Sequence, residues 1–288
     1  MLKLMSKLIL IVLTTALTFN VANADQNSEV SLDDVSTVAE TVDRIRSTLE
    51  DQRIEIVAEI NHAGAAASVG LELRPTTVLF ASNSFFDSLM IRRRQTTALD
   101  LPSKFLVFED ENGDIKVEFN NVGFLADRHN VKQRDILLRL FDRTLNQFGR
   151  LNNGILEVQS NQSVAATVEK LLAELTKRGF RIPIAGGIDF SAQTKARGIK
   201  LRPTHLLVFG NPNVGTPLMQ NDQSIGLDLP QKYLVYEDKA GDVFIAFNDP
   251  AFLAAKHNLQ RDVDPALETR IRNITNALTA IALAGANP

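Results

Sequence analysis

One feature limits the folds open to this chain more than any other: beyond its N-terminal stretch it is written twice. Leu73-Arg74-Pro75-Thr76 returns as Leu201-Arg202-Pro203-Thr204, and Leu99-Asp100-Leu101-Pro102 as Leu227-Asp228-Leu229-Pro230. Leu89-Met90 matches Leu218-Met219, Lys104 matches Lys232, and Glu109-Asp110 matches Glu237-Asp238. Farther on, Phe119-Asn120, Phe124-Leu125-Ala126 and His129-Asn130 recur as Phe247-Asn248, Phe252-Leu253-Ala254 and His257-Asn258. The offset hardly changes from match to match, and it has the length of a whole domain, far above that of a solenoid repeat. The sequence therefore divides into a first copy, 25–150, and a second, 151–288, at the turn-like stretch Gly149 to Gly154. Each is long enough to bury its own core.

The same element order is expected in both copies. A short strand (Ile155 to Val158) leads to a helix that Ser163 caps and whose one face carries Val164, Val168, Leu171, Leu172 and Leu175. The first copy repeats that helix with Val38, Val42, Ile45 and Leu49. An extended segment follows (Ile54 to Ile60; Ile182 to Ile188), then a short helix ending at Gly70 or Gly198, then an apolar central strand (Val78 to Phe80; His205 to Phe209). Two hairpin strands come next, and amphipathic helices close each copy, with Leu137, Leu138, Phe141 and Leu145 in one and Leu267, Ile271, Ile274 and Leu278 in the other. The expected fold is α+β, a mainly antiparallel sheet with helices on one face, made twice.

At the N-terminus, Lys3 and Lys7 precede the apolar run Leu8 to Phe19, and Val21-Ala22-Asn23-Ala24 sets small residues before a cut between Ala24 and Asp25. That is the pattern of a secretory signal peptide, and the run is short of the about 20 residues of a bilayer span. The expectation is an exported chain, periplasmic or secreted. The absence of cysteine excludes disulfides, thiolate metal sites and thiol nucleophiles. The formal net charge is -3, and removing residues 1–24 takes away two lysines and no acid, leaving -5. That balance opposes a general affinity for nucleic acid.

Gly210-Asn211-Pro212-Asn213-Val214-Gly215-Thr216-Pro217-Leu218-Met219, with Leu201 to Thr204, Leu227 to Pro230, Tyr236-Glu237-Asp238, Asn248-Asp249-Pro250, Phe252-Leu253 and His257, resembles the domain-of-unknown-function 302 family. The similarity covers both copies. It implies a fold like the β-α-β4-α arrangement of the TATA-binding protein and no particular activity. The copies differ: the first has Ala81 to Ser88, without glycine or proline, in place of Gly210 to Met219, while Asn61-His62 stands where the second copy has Asp189-Phe190.

The candidate chemistry follows from these segments. Gly210, Asn211, Gly215 and Thr216 lie in a glycine-containing loop after an apolar strand, where exposed N–H groups suit an anion; the Gly-Lys-Ser/Thr ending of a phosphate loop is missing. An antiparallel meander would gather Asn211, Thr216, Lys232, Asn248 and Asp249 on one sheet edge, a polar pocket for a small polar or anionic ligand. Arg74 with Glu109, and Arg202 with Glu237, read as structural ion pairs at the opposite edge. No cofactor is implied, and among the histidines only His62 and His257, with Asp249, are candidate metal ligands. Arg92-Arg93-Arg94 reads as a solvated loop. Three readings of function stand: an exported binding module using the Gly210 to Met219 loop; a structural or interaction protein in which the copies pack as an intrachain pseudo-dimer; and a hydrolase-like enzyme using Asp249, Lys232 or His257.

Overall fold

The computed structural model describes residues 27–31, 37–131, 153–259 and 265–288. The signal-like segment with Ala24 and Asp25, and the expected helix carrying Leu137 to Leu145, lie outside them.

The first copy runs β1 (Asn27–Ser31), α1 (Val38–Asp51), β2 (Glu55–Asn61), α2 (His62–Ala67), β3 (Thr76–Ser82), α3 (Ser84–Arg93), a 3-10 turn (Gln95–Leu99), β4 (Ser103–Glu109), β5 (Ile115–Asn120) and α4 (Val122–Arg128). The second repeats it as β6 (Ile155–Ser160), α5 (Val164–Lys177), β7 (Ile188–Asp189), α6 (Phe190–Lys195), β8 (Thr204–Phe209), α7 (Pro212–Asn221), a 3-10 turn (Gln223–Leu227), β9 (Gln231–Glu237), β10 (Val243–Asn248), α8 (Pro250–Lys256) and α9 (Pro265–Ala286). Each copy forms one antiparallel five-stranded sheet, in the orders β1-β5-β4-β3-β2 and β6-β10-β9-β8-β7. The fold is α+β, twice, as the sequence implies.

Helix starts follow the capping residues. Thr37 and Ser163 accept from the N–H three residues on in α1 and α5, and Asn61 and Asp189 do the same for α2 and α6. From those last caps onward the copies align without a gap, Asn83 on Asn211 and Asp100 on Asp228. Leu218-Met219 therefore corresponds to Met90-Ile91 and not to Leu89-Met90. The expected extended segment Ile182 to Ile188 is strand only at its end. Pro183 brings no N–H to the ladder, and Gly186 and Gly187 take positive φ, which turns the chain before β7.

Both faces of each sheet are buried, for different reasons. On the outer face α1 lays Val38 and Val42 on Leu79, Val107 and Val117, while α5 and α9 lay Leu171, Leu175, Leu278 and Ile281 on Leu207, Phe209, Tyr233 and Ile245. On the inner face Val78, Phe80 and Leu106 of one copy join Leu206, Val208 and Leu234 of the other in one apolar core. This explains why β3 is buried along its whole length. The alternation that marks a one-sided sheet is lost because the second copy covers what would be the solvent face. Each 3-10 turn lies against the other copy's sheet, Gln95–Leu99 beside β9 and Gln223–Leu227 beside β4. The two copies therefore pack as an intrachain pseudo-dimer, related by a local two-fold.

Candidate functional site between the two copies

The expected loop Gly210 to Met219 is not a loop. Asn211 caps α7, and its side chain accepts from the Asn213 N–H; Asn83 caps α3 at the equivalent position. Two dissimilar sequences thus build one element, because an Asn cap and a helical run are all that the position requires. Pro212 fits the first helical turn, where its missing N–H would have no intrahelical partner. Gly215 and Thr216 lie inside the helix, and Thr216 is buried.

Nor do the five polar residues of the expected edge pocket line an open cavity together. Asp249 caps α8 by accepting from the Ala251 N–H. Asn248 and Lys232 are buried between the copies. The predicted Arg–Glu ion pairs are corrected in a similar way. Arg74 Nε donates to the Glu109 main-chain oxygen at 3.1 Å, and Arg202 Nε to that of Glu237 at 3.1 Å. These carbonyls stand where the β3–β4 and β8–β9 ladders end, so the guanidinium satisfies a main-chain acceptor that has run out of strand partner. Each Arg also reaches across the pseudo-two-fold, Arg74 to Gln223 Oε1 and Arg202 to Gln95 Oε1. Gln223 and Gln95 in turn donate to Thr76 and Thr204 of the opposite copy.

At the centre of the interface lies a buried charge cluster. Asp228 accepts from Lys104 of the other copy at 2.9 Å, from Lys256 at 2.7 Å and from His257 Nε2 at 2.9 Å. Asp100 takes both oxygens to Arg128 Nη1, at 2.8 and 2.9 Å, and accepts from His129 Nε2 at 2.6 Å. The cross-copy pairing is reciprocal: Arg128 donates to Asn248 Oδ1 at 2.7 Å, and Lys256 to Asn120 Oδ1 at 2.9 Å. Lys232 instead donates to the Asp228 main-chain oxygen at 2.7 Å. Burial works to raise the Asp228 carboxyl, yet Lys104, Lys256 and His257 hold it far below the usual range. Asp100 is held low against the same burial by Arg128, His129 and Lys104. Burial, reinforced by Lys104, pushes the Lys232 ammonium well down.

Each aspartate also heads a hydroxyl–imidazole–carboxylate line. Ser224 Oγ lies 2.9 Å from His257 Nδ1, and Thr96 Oγ1 lies 3.1 Å from His129 Nδ1. Such a line activates a nucleophile when the carboxylate stabilises the imidazolium that forms. Here Asp228 already faces two lysines, burial lowers the His257 pKa, and the Ser224 N–H is taken by Asp222. The line holds the His257 imidazole between Ser224 and Asp228.

His62, the other candidate ligand, is buried with Nε2 at 3.2 Å from the Gly226 carbonyl of the second copy, and burial lowers its pKa to about 4. Among the described residues, no three His, Cys, Asp or Glu side chains gather as a metal would need. The sequence reading missed Gln95, Gln223, Asp100 and Asp228 as interface residues. For the two aspartates the signal was present in the duplication, as a polar residue repeated inside an apolar run.

The model of the family described as domain of unknown function DUF302 matches residues 29–147 and again residues 156–281. Fluoride-specific ion channel FluC 1 of Brucella suis biovar 1 is 40% identical over 121 residues, 42% of this chain and 47% of that protein. FluC 1 of Brucella abortus biovar 1 is 40% identical over the same length, 44% of that protein. The chain thus spans under half the length of these curated relatives. A crystal structure of an uncharacterized conserved DUF302 protein from Bacillus stearothermophilus is similar with a TM-score of 0.40 at 23% identity, over 46% of this chain and 97% of that one. With the family model matched across both copies, the chain belongs to the DUF302 family and carries its domain twice.

Proposed function

We propose that the protein is an exported, non-catalytic binding module whose two copies act as one body, and that its ligand is a small anion. The observation that carries the first part is the reciprocal bonding between the copies, centred on Lys104 and Asp228. That pair takes one partner from each copy and is fully buried, so it forms only when the copies pack together. The scaffold-like surroundings of Ser224 and His257 support a binding role over an acyl-transfer one. Export rests on Lys3, Lys7, the apolar run and the small residues before Asp25. The anion rests on the curated relatives, which share a segment of one copy's length and are named for fluoride.

Residues 25–150 and 151–288, expressed separately, test the pseudo-dimer. The expected result is that each half is unstable alone and that the two reassociate on mixing. Two stable halves that ignore each other would count against it. The mass of the protein recovered from the cell envelope tests export, with a start at Asp25 expected and an intact Met1 contradicting it.

A further inference from the structure

The local two-fold gives every surface seam between the copies a counterpart, and the two counterparts differ in charge. One seam lies where α3 of the first copy packs on α6 of the second. There a groove of about 380 Å³ is lined by Arg92, Lys200, Leu201 and Arg202. In the gap-free alignment of the copies, the other seam has Gln220 for Arg92, Glu72 for Lys200 and Arg74 for Arg202. On that side Gln220 Nε2 donates to the Glu72 main-chain oxygen at 2.6 Å and bridges the gap directly. The neighbouring positions diverge in the same sense. Arg93 and Arg94 correspond to Asn221 and Asp222, and Lys195 and Arg197 to Ala67 and Val69.

A duplicated chain with an acidic total thus carries more positive charge along this seam than along the other, where Arg74 and Arg181 remain. Arg202 is held by neutral acceptors, Gln95 Oε1 and the Glu237 carbonyl, so its charge is not cancelled. Arg92 and Lys200 are exposed and enter no ion pair among the described residues. Three cations around a concavity, with no acid in its lining, repel one another until an anion enters. The volume falls within the roughly 300–1,000 Å³ of small-molecule sites. Guanidinium forks suit phosphate and carboxylate oxygens.

We propose that this groove is the binding site for a small molecule bearing two or more anionic groups, and that Arg92, Lys200 and Arg202 hold it. The proposal rests on the anion-binding reading above and gives that reading a location and a ligand class. The sequence reading of Arg92-Arg93-Arg94 as a solvated loop changes because Lys200 and Arg202 arrive from the other copy, far away along the chain.

The test is titration calorimetry of the full chain with inorganic pyrophosphate and with citrate at constant ionic strength, since screening of exposed charges would otherwise mask the difference. Arg92→Gln with Lys200→Glu gives this seam the residues of its counterpart. Those positions are exposed, so thermal unfolding is expected to be unchanged. The expected result is saturable one-site binding to the parent chain that weakens about tenfold or more in the variant. Glu72→Lys with Gln220→Arg should create a second site. Tighter pyrophosphate than citrate assigns phosphate groups to the ligand, and the reverse assigns carboxylates. Equal affinity in parent and variant would place the anion elsewhere and overturn the groove while leaving the anion-binding reading intact. No saturable binding of pyrophosphate or citrate by the parent chain would also overturn the groove, fluoride titrated in the same way judges the small-anion reading by itself, and the separated halves judge the pseudo-dimer independently.

Discussion

Replacing Asp228 by Asn keeps the shape of the side chain and removes its charge, so the cost isolates electrostatics at the interface. The fully buried carboxylate neutralises Lys104 and Lys256 and orients His257, through bonds of 2.9, 2.7 and 2.9 Å. An amide in its place takes the nearest counter-charge from two buried ammonium groups, leaving Lys104 with Asp100 alone at 4.0 Å, and turns an N–H toward one of them. Breaking a buried pair by removing one partner costs about 3–5 kcal/mol, or roughly two to three and a half powers of ten in the folding constant. Urea unfolding followed by circular dichroism at neutral pH would measure it. The midpoint should fall with an unchanged slope, whereas Asp242→Asn, at an exposed site, should stay within about 0.5 kcal/mol of the parent. Adding Lys104→Met to Asp228→Asn should cost less than Lys104→Met alone, because the lysine has then lost its partner. The acid arm of the stability profile gives a second readout. The folded Asp228 carboxyl sits far below its unfolded value of about 4, so its contribution is present above that pH and is lost as pH falls below it. Asp228→Asn should flatten that arm. A cost under about 1 kcal/mol, against the expected 3–5, would refute the reading that the cluster holds the copies together.

Four other outcomes follow. His62 is held neutral with a pKa near 4 against an unfolded value near 6.5, so stability falls as pH drops between them, and His62→Gln should remove that slope from a denaturation series. Asp87 behaves oppositely: burial raises it to about 7, only Ser82 donates to it, and stability should fall as pH rises from about 4 to about 7; Asp87→Asn should stabilise the protein at pH 8 and leave it nearly unchanged at pH 4. Gly187 has φ of 80°, and a Cβ there would stand 2.4 Å from the Leu206 carbonyl oxygen, so Gly187→Ala should destabilise by about 2 kcal/mol or more, read as a lowered thermal midpoint. Gln95→Ala removes the acceptor of Arg202 and the donor to Thr204, and it should cost about 1–3 kcal/mol, whereas Gln95→Glu should restore the Arg202 contact but not the Thr204 one.

Much of the architecture could be read in advance because it is local. Ser163 and Asp189 are caps, the apolar faces of α5 and α9 recur at helical spacing, and the Asp110–Asp114 and Asp238–Asp242 turns announce their hairpins. What could not be read is pairing across the two-fold. Gln95 and Gln223 repeat at the offset of the duplication, but nothing local marks them as anchors until another copy's arginine meets them. An antiparallel meander sets Lys232 and Asn248 on an open sheet edge, but both are covered, since no local pattern says which face the second copy will take. The Gly210 to Met219 stretch misled because glycine and proline suggest a loop, while the Asn211 cap and the apolar Leu218 and Met219 settle it as helix. The same kind of oversight hid the basic seam, whose two sides come from different copies.

The central claim is that the two copies fold and unfold as one body. Tyr233 and Tyr236 are the only tyrosines, both lie in the second copy, and the chain has no tryptophan, so tyrosine fluorescence reports the second copy while far-ultraviolet circular dichroism reports both. Equilibrium unfolding in urea should give coincident transitions by the two probes, and Asp100→Asn in the first copy should shift the tyrosine transition as far as the dichroism one. Two separated transitions, with the tyrosine signal indifferent to Asp100→Asn, would contradict it.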